Sequence, residues 1–259
     1  MIRKADAKPS SKYGTIVIVG GGCYGSYYVR QLGRASVAGA VTWDDVIVVD
    51  RNPECAVAVS DQLDPSRFAS PVPRVHIADW VDFFASYLSR WDSASTASRR
   101  DAIVSSPLMP HLMYEWLRDR AQKRWPARRV ETVPLPVPPG TPWQTSAPDG
   151  THYVSFAEWT CPVNCVEPER CPHTRGPRAW TMPDATRDYV SAQRSSGLRI
   201  EGPILFHCTH RVYGVGMFDT ADVVAGDELI RQCADTGPVQ VLIGTVSHCH
   251  GALNLLSIG

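Results

Sequence analysis

The sequence has little charge and no excess of either sign. Asp, Glu, Lys and Arg make up 20% of it, and 26 basic residues face 26 acidic ones. Proteins that grip nucleic acid through bulk charge carry a basic face, so no nucleic-acid partner is expected. No run of eighteen apolar residues occurs, which excludes a membrane-spanning helix. Met1 to Gly14 carries Lys4, Lys8 and Lys12 without an apolar core behind them. A secretory leader is therefore not expected, and this stretch reads as a short frayed tail. No segment repeats. Nothing points to export, so the expected compartment is the cytosol, where cysteines stay reduced and clustered ones become metal or redox candidates.

What is present is a chain of 259 residues with 44% apolar content, long enough to bury a sizeable core in one large domain or two small ones. Thr15 to Val19 (TIVIV) is a β-branched run that reads as a buried strand, followed by GGGCYG and a helical stretch from Tyr24 to Leu32. Val46 to Val49, Val75 to Ala78, Asp101 to Ser105 and Arg129 to Val133 are further strands. Helices are expected from Trp80 to Trp91 and from Pro110 to about Trp125. Strands alternating with helices predict an α/β fold, a Rossmann-like doubly wound parallel sheet. Five prolines between Pro134 and Pro142 interrupt the pattern, so a boundary is placed there: residues 1–133 as a dinucleotide-binding domain, 134–259 as a Cys/His-rich region. In the second part, Pro183 to Gln193 and Ala221 to Cys233 look helical. Pro203 to Phe206, Val239 to Val246 and Ala252 to Ile258 look extended, the last two joined by a tight turn. If these late strands extend the first sheet, the Cys-rich stretch is an insertion instead of a domain.

The glycine loop carries the clearest chemistry. Gly20, Gly22 and Gly25 form G-x-G-x-x-G between a strand and a helix. The first permits a tight turn, the second lets a pyrophosphate approach, and the third lets helix and strand pack closely. With Cys23 and Tyr24 they are the candidate cofactor contacts, because the helix start offers free N–H groups to phosphate. Asp50 ends the next strand, where a carboxylate accepts bonds from ribose hydroxyls and disfavours a 2′-phosphate; NAD is therefore expected over NADP, which the adjacent Arg51 keeps open. Asp50 follows Gly25 by 25 residues, longer than the usual ~20. A glycine loop with a strand-end acid also suits S-adenosylmethionine.

The segments IVIVGGGCYGSYYVRQL, VIVVDRNPE and DAIVSSP together resemble Rossmann-type NAD-binding proteins, including the NAD-binding domain of TrkA-type potassium-transport regulators and various dehydrogenases. The resemblance covers about the first half of the chain and implies a dinucleotide site at Gly20, Gly22, Gly25 and Asp50.

Two further patterns involve sulfur and imidazole. Cys161, Cys165, Cys171 and His173 fall within thirteen residues, spaced C-x3-C-x5-C-x-H. Four such ligands suit tetrahedral zinc. The three cysteines equally suit an iron–sulfur cluster, with Cys208 or Cys249 as a distant fourth ligand. HCTHR (His207 to Arg211) and SHCHG (Ser247 to Gly251) each follow an expected strand. Cys208, His210, His248 and His250 are the catalytic candidates there, since strand carboxyl ends are where α/β sheets bind ligands and imidazole titrates near neutrality. The functional expectation is an NAD-linked oxidoreductase with a metal or iron–sulfur site and a small-molecule substrate. No Tyr-x-x-x-Lys pair is present for hydride chemistry. The alternatives are a non-catalytic nucleotide- and metal-binding sensor, regulator or maturation factor, acting with a second copy or a protein partner, and an S-adenosylmethionine-dependent transferase.

Overall fold

Apolar residues fill consecutive positions of β1 (Ser11–Val19), which is what a strand covered on both faces requires. Alternate residues point to opposite faces: Ile16 and Ile18 meet one cluster, Val17 and Val19 another. The computed structural model describes residues 11–92, 100–161 and 165–259. Most of the expected tail, with Lys4 and Lys8, lies outside them.

β2 (Val41–Asp50), β3 (Arg74–Ile77) and β4 (Ala102–Val104) join β1 in the order β3-β2-β1-β4, all parallel. Beyond β4 the sheet changes character. β10 (Val215–Asp219) adds antiparallel to β4, and β9 (Thr209–Val212) antiparallel to β10, giving six strands in all. The sheet is therefore mixed, and the parallel arrangement expected from the βαβ alternation spans four strands. β9 and β10 turn at Tyr213 and Gly214, both with positive φ (47° and 80°), the backbone that a tight hairpin turn demands.

The late strands build a second mixed sheet instead of widening the first. β6 (Trp143–Ser146), β7 (His152–Ser155), β12 (His250–Ile258), β11 (Val239–Val246) and β8 (Ile200–His207) follow one another across it. β5 (Val130–Val133) pairs with the second half of β12 while β7 pairs with the first. Hydrogen bonds thus cross the expected boundary at Pro134 in both directions: β5 sits in the second sheet and β10 in the first.

Helices α1 (Cys23–Val37), α2 (Ala56–Val59), α3 (Trp80–Ser89), α4 (Leu112–Arg124), α5 (Met182–Ser195) and α6 (Thr220–Asp235) complete the fold. Val29, Leu32 and Ala35 of α1 cover the outer face of the first sheet. Phe84 and Leu88 of α3, Leu117 of α4 and Ile230 of α6 share one core with Val17 and Val49 of the first sheet and Phe206, Ile243 and Leu256 of the second. Met182 and Val190 of α5 cover the far face of the second sheet. The order of layers is helix, sheet, helices, sheet, helix. Asp227 of α6, 9% exposed, ties this middle layer by ion pairs to Arg120 and Arg124 of α4 at 2.9 and 2.7 Å. Among the described residues no helix is long and apolar enough to cross a membrane.

Candidate functional site

β1 ends at Gly20, whose φ of +86° turns the chain and whose N–H donates to the Val49 carbonyl at 2.9 Å. A Cβ at Gly25 would drive into the Gly20 carbonyl, so the third glycine is required for contact between α1 and the loop. A Cβ at Gly22 would meet nothing within 4 Å; the backbone there faces open space. Gly22 caps α1 with no side-chain hydrogen bond, which leaves the first N–H groups of the helix, at Cys23 and Tyr24, without a capping acceptor. Asp50 accepts from Gly21 N–H at 2.7 Å and Asn52 N–H at 2.8 Å. One acid thus braces the glycine loop and the turn after β2, and its remaining lone pairs stay available. The indole of Trp80 leans over Gly20, its N–H donating to the Val49 carbonyl at 2.9 Å.

A cleft of about 370 Å³ opens beside α1, between the two sheets, lined by Tyr28, Ser105, Cys208, His210, Thr245 and His250 among others. Ser105, Cys208 and Ser247 follow the carboxyl ends of β4, β8 and β11. Tyr28 lies five residues into α1, about 7.5 Å of helical rise from its start.

The two Cys–His tips meet here. The Cys208 N–H donates to the Val246 carbonyl at 2.8 Å, which sets HCTHR beside SHCHG. Their organiser is Glu167, a residue the sequence did not single out. Glu167 holds φ at +50°, an uncommon backbone for a non-glycine residue, and its side chain is 10% exposed. Its carboxylate accepts from Ser247 Oγ at 2.7 Å, His248 N–H at 3.0 Å and Cys249 N–H at 3.1 Å. Burial pushes this carboxyl up, but those three donors and the nearby His210 outweigh it, and the net shift is downward. Glu167 stays charged and lies 3.8 Å from His210 Nε2.

The imidazole tautomers follow from partners that can only accept. His210 Nδ1 is 2.9 Å from the Gly214 carbonyl, so Nδ1 carries the proton and Nε2 faces Glu167. His250 Nδ1 is 2.9 Å from Ser155 Oγ, whose own proton goes to the Ala157 carbonyl; Nδ1 again donates and Nε2 is left free. Burial lowers His207, with Glu167 opposing. Cys208 sits 3.1 Å from Ser105 Oγ, and burial pushes its thiol up to about 11, so it remains a thiol at neutral pH. Burial, then Cys208, pushes Tyr28 up to about 12, which makes its phenol a lasting hydrogen-bond donor in the cleft. His248 takes a different position from His250: its Nε2 is buried without a partner, and its carbonyl accepts from Met182 N–H at the start of α5.

Of the four sequence-predicted metal ligands, three lie near one another. Burial raises Cys161, with further upward pushes from Cys165 and Cys171. The backbone N–H groups of Thr174 and His173 point at Cys171 Sγ and lower it. His173 lies apart from the thiols' chemistry, its ring stacked on Trp159 with centroids 4.4 Å apart. Among the described residues no three His, Cys, Asp or Glu side chains are drawn together around a single ion. All eight cysteines are free.

These features describe a two-sheet α/β protein in which the helix after the glycine loop, α1, borders a cleft lined by Cys208, His210 and His250. Residues 113–259, more than half of the chain, match the AF_1314_C family model, described as "Uncharacterized protein, C-terminal domain", and the chain belongs to that family. The match begins in α4 and takes in the second sheet, the β9–β10 hairpin and both Cys–His tips. Comparison with curated proteins and with solved structures finds no match.

Proposed function

We propose that the protein is an NAD-linked oxidoreductase of a small cytosolic substrate. The observation that carries this reading is the position of the cleft: it opens beyond the carboxyl end of β4, next to β1, where a sheet of order β3-β2-β1-β4 reverses its winding, and it shares Tyr28 and His210 with a second cleft lined by Cys23 and Tyr24 at the start of α1. The residues fit the cofactor. Open space at Gly22 admits a pyrophosphate, the start of α1 offers N–H groups, and Asp50 has acceptor capacity for a ribose. When bound, the nicotinamide would supply or take up hydride. The chain's own part is to hold a small oxygenated substrate and move its proton. The Tyr28 phenol donates to a substrate oxygen. His210, fixed through Nδ1 and facing Glu167 through Nε2, stores the proton, and Glu167 positions it. Cys208, protonated and bonded to Ser105, serves as wall, not nucleophile.

The test is calorimetric titration of the full chain with NADH, NADPH and S-adenosylmethionine, followed by NADH oxidation with a panel of small carbonyl compounds. NADH is expected to bind preferentially, and His210→Gln to retain binding while losing turnover. Binding of S-adenosylmethionine in place of NADH would sink the oxidoreductase reading. Tight NADH binding without turnover on any acceptor would favour a nucleotide-sensing role.

A further inference from the structure

Three buried polar groups around the thiol loop lack the partners that buried polar groups require. Arg178 Nε and Nη1 and Trp159 Nε1 are fully covered, with no oxygen or nitrogen to accept from them. Each such orphan is costly and calls for an explanation. All are donors, and all adjoin sulfur. Arg178 Nη2 donates to Cys165 Sγ at 3.8 Å, and the same guanidinium bears on Cys171 and Cys249. Trp159 flanks Cys161. Trp180 Nε1 donates to Cys249 Sγ at 3.5 Å.

The backbone at Cys171 is shaped for a sulfur ligand. Arg175 N–H returns to the Cys171 carbonyl at 2.8 Å, Cys171 N–H reaches the Gly176 carbonyl at 2.9 Å, and Arg175 takes φ of +57°. This tight knuckle aims two N–H groups, of His173 and Thr174, at Sγ. Successive N–H groups converging on one point form an anion nest of the kind found at iron–sulfur sites. The knuckle turns His173 away from the sulfur, onto Trp159. Cys249 takes the place this leaves: it is 5% exposed and shares Arg178 with the loop cysteines.

We propose that Cys161, Cys165, Cys171 and Cys249 ligate an iron–sulfur cluster, with Arg178 and Trp159 donating to its sulfur atoms. Four thiolates outweigh the positive charge of the cluster core, so the assembly is an anion, and a buried arginine is its counter-charge. The inorganic sulfides supply the acceptors that the orphaned donors lack; a lone zinc ion supplies none. Ligation exchanges four S–H bonds for four S–Fe bonds; a preformed cluster, transferred whole at unchanged oxidation state, provides the iron and sulfide, and the four thiolates displaced from it take up the four protons.

The inference stands apart from the NAD reading, and its test does not use turnover. The full-length protein is reconstituted without oxygen with ferric iron, sulfide and excess thiol as the reductant, desalted, and assayed for iron, acid-labile sulfide and visible absorption. Wild type, His173→Ala and Cys208→Ser are expected to stay brown; Cys249→Ser is expected to lose most of its iron and colour. Alkylation mapping covers the case in which Cys249→Ser does not fold: reconstitution should protect the cysteines at 161, 165, 171 and 249 and no others. A colourless wild type, zinc in place of iron, undiminished colour in Cys249→Ser, or protection at Cys208 in place of Cys249 would each overturn the assignment.

Discussion

Gly22→Ala and Gly25→Ala separate ligand binding from folding at the glycine loop. At Gly25 the new Cβ would lie 3.0 Å from the Gly20 carbonyl carbon and press against its oxygen, where relaxed contact needs about 3.5 Å. Backbone stands on both sides, so no side chain can swing clear. Overpacking costs about 1–3 kcal/mol, here the upper part of that range, about 2–3 kcal/mol, because backbone meets backbone, and the gain in helix propensity returns about 1 kcal/mol. The net loss of about 1–2 kcal/mol lowers Tm by about 2–8 °C for a chain of this size. At Gly22 the φ of −76° suits alanine and the Cβ meets nothing. Loss of a better helix cap and gain from a stiffer unfolded chain oppose each other at about 0.5–1 kcal/mol apiece, so stability stays nearly unchanged. The same methyl stands where a pyrophosphate would pass, and NADH affinity should fall at least about tenfold, or 1.4 kcal/mol. Urea unfolding and NADH calorimetry on both variants read the two effects. Gly22→Ala binding NADH as tightly as wild type would refute the pyrophosphate reading of the loop.

Glu167→Gln removes the charge that three donors and His210 face, and should cost about 2 kcal/mol in urea unfolding near neutral pH. Because the Glu167 carboxyl is lowered in the folded state, its stabilisation is present above its ordinary value of 4.5 and lost as pH falls below it, so the gap between wild type and variant should close in acid. His207 and His152, lowered by burial, act in a higher window: folded stability should begin to fall as pH drops below about 6.5, where the unfolded imidazoles take up protons first. A pH series of Tm values reads both windows. Phe206→Ala empties a fully buried position between the sheets and should destabilise the fold by about 3–5 kcal/mol in chemical denaturation.

The sequence reading was strongest where pattern and packing are local. The run from β1 through the glycine loop and α1 to β2 follows from apolar periodicity and glycine placement alone. The β9–β10 hairpin did not stand out, because its strands are short and carry His210, Arg211 and Asp219. β6 reads WQTS and is exposed throughout, so it has no apolar alternation to find. The pairing of strands was beyond local pattern altogether: the late strands read correctly as strands, yet whether they widened the first sheet or built another depended on partners far along the chain. Glu167 was missed for the same reason. It lies between cysteines in CVEPERC, and its hydrogen-bond partners are 80 to 82 residues away. Its neighbours in sequence drew attention to sulfur, while its own role is set by a strand tip that only tertiary structure delivers.

The way β10 is lodged has a consequence for dissecting the molecule. The matched family region starts in α4, so a fragment beginning there would keep β10 but lose β4, its neighbour in the sheet. The cut would leave two raw seams of unmet N–H and C=O groups, one on each piece, the second bordered by the apolar Met217 and Phe218. Each piece would then be an adhesive fragment whose best complement is the other. The two halves are in this sense a matched pair, and any N-terminal unit fused to such a C-terminal region must offer a strand edge for β10 to mend.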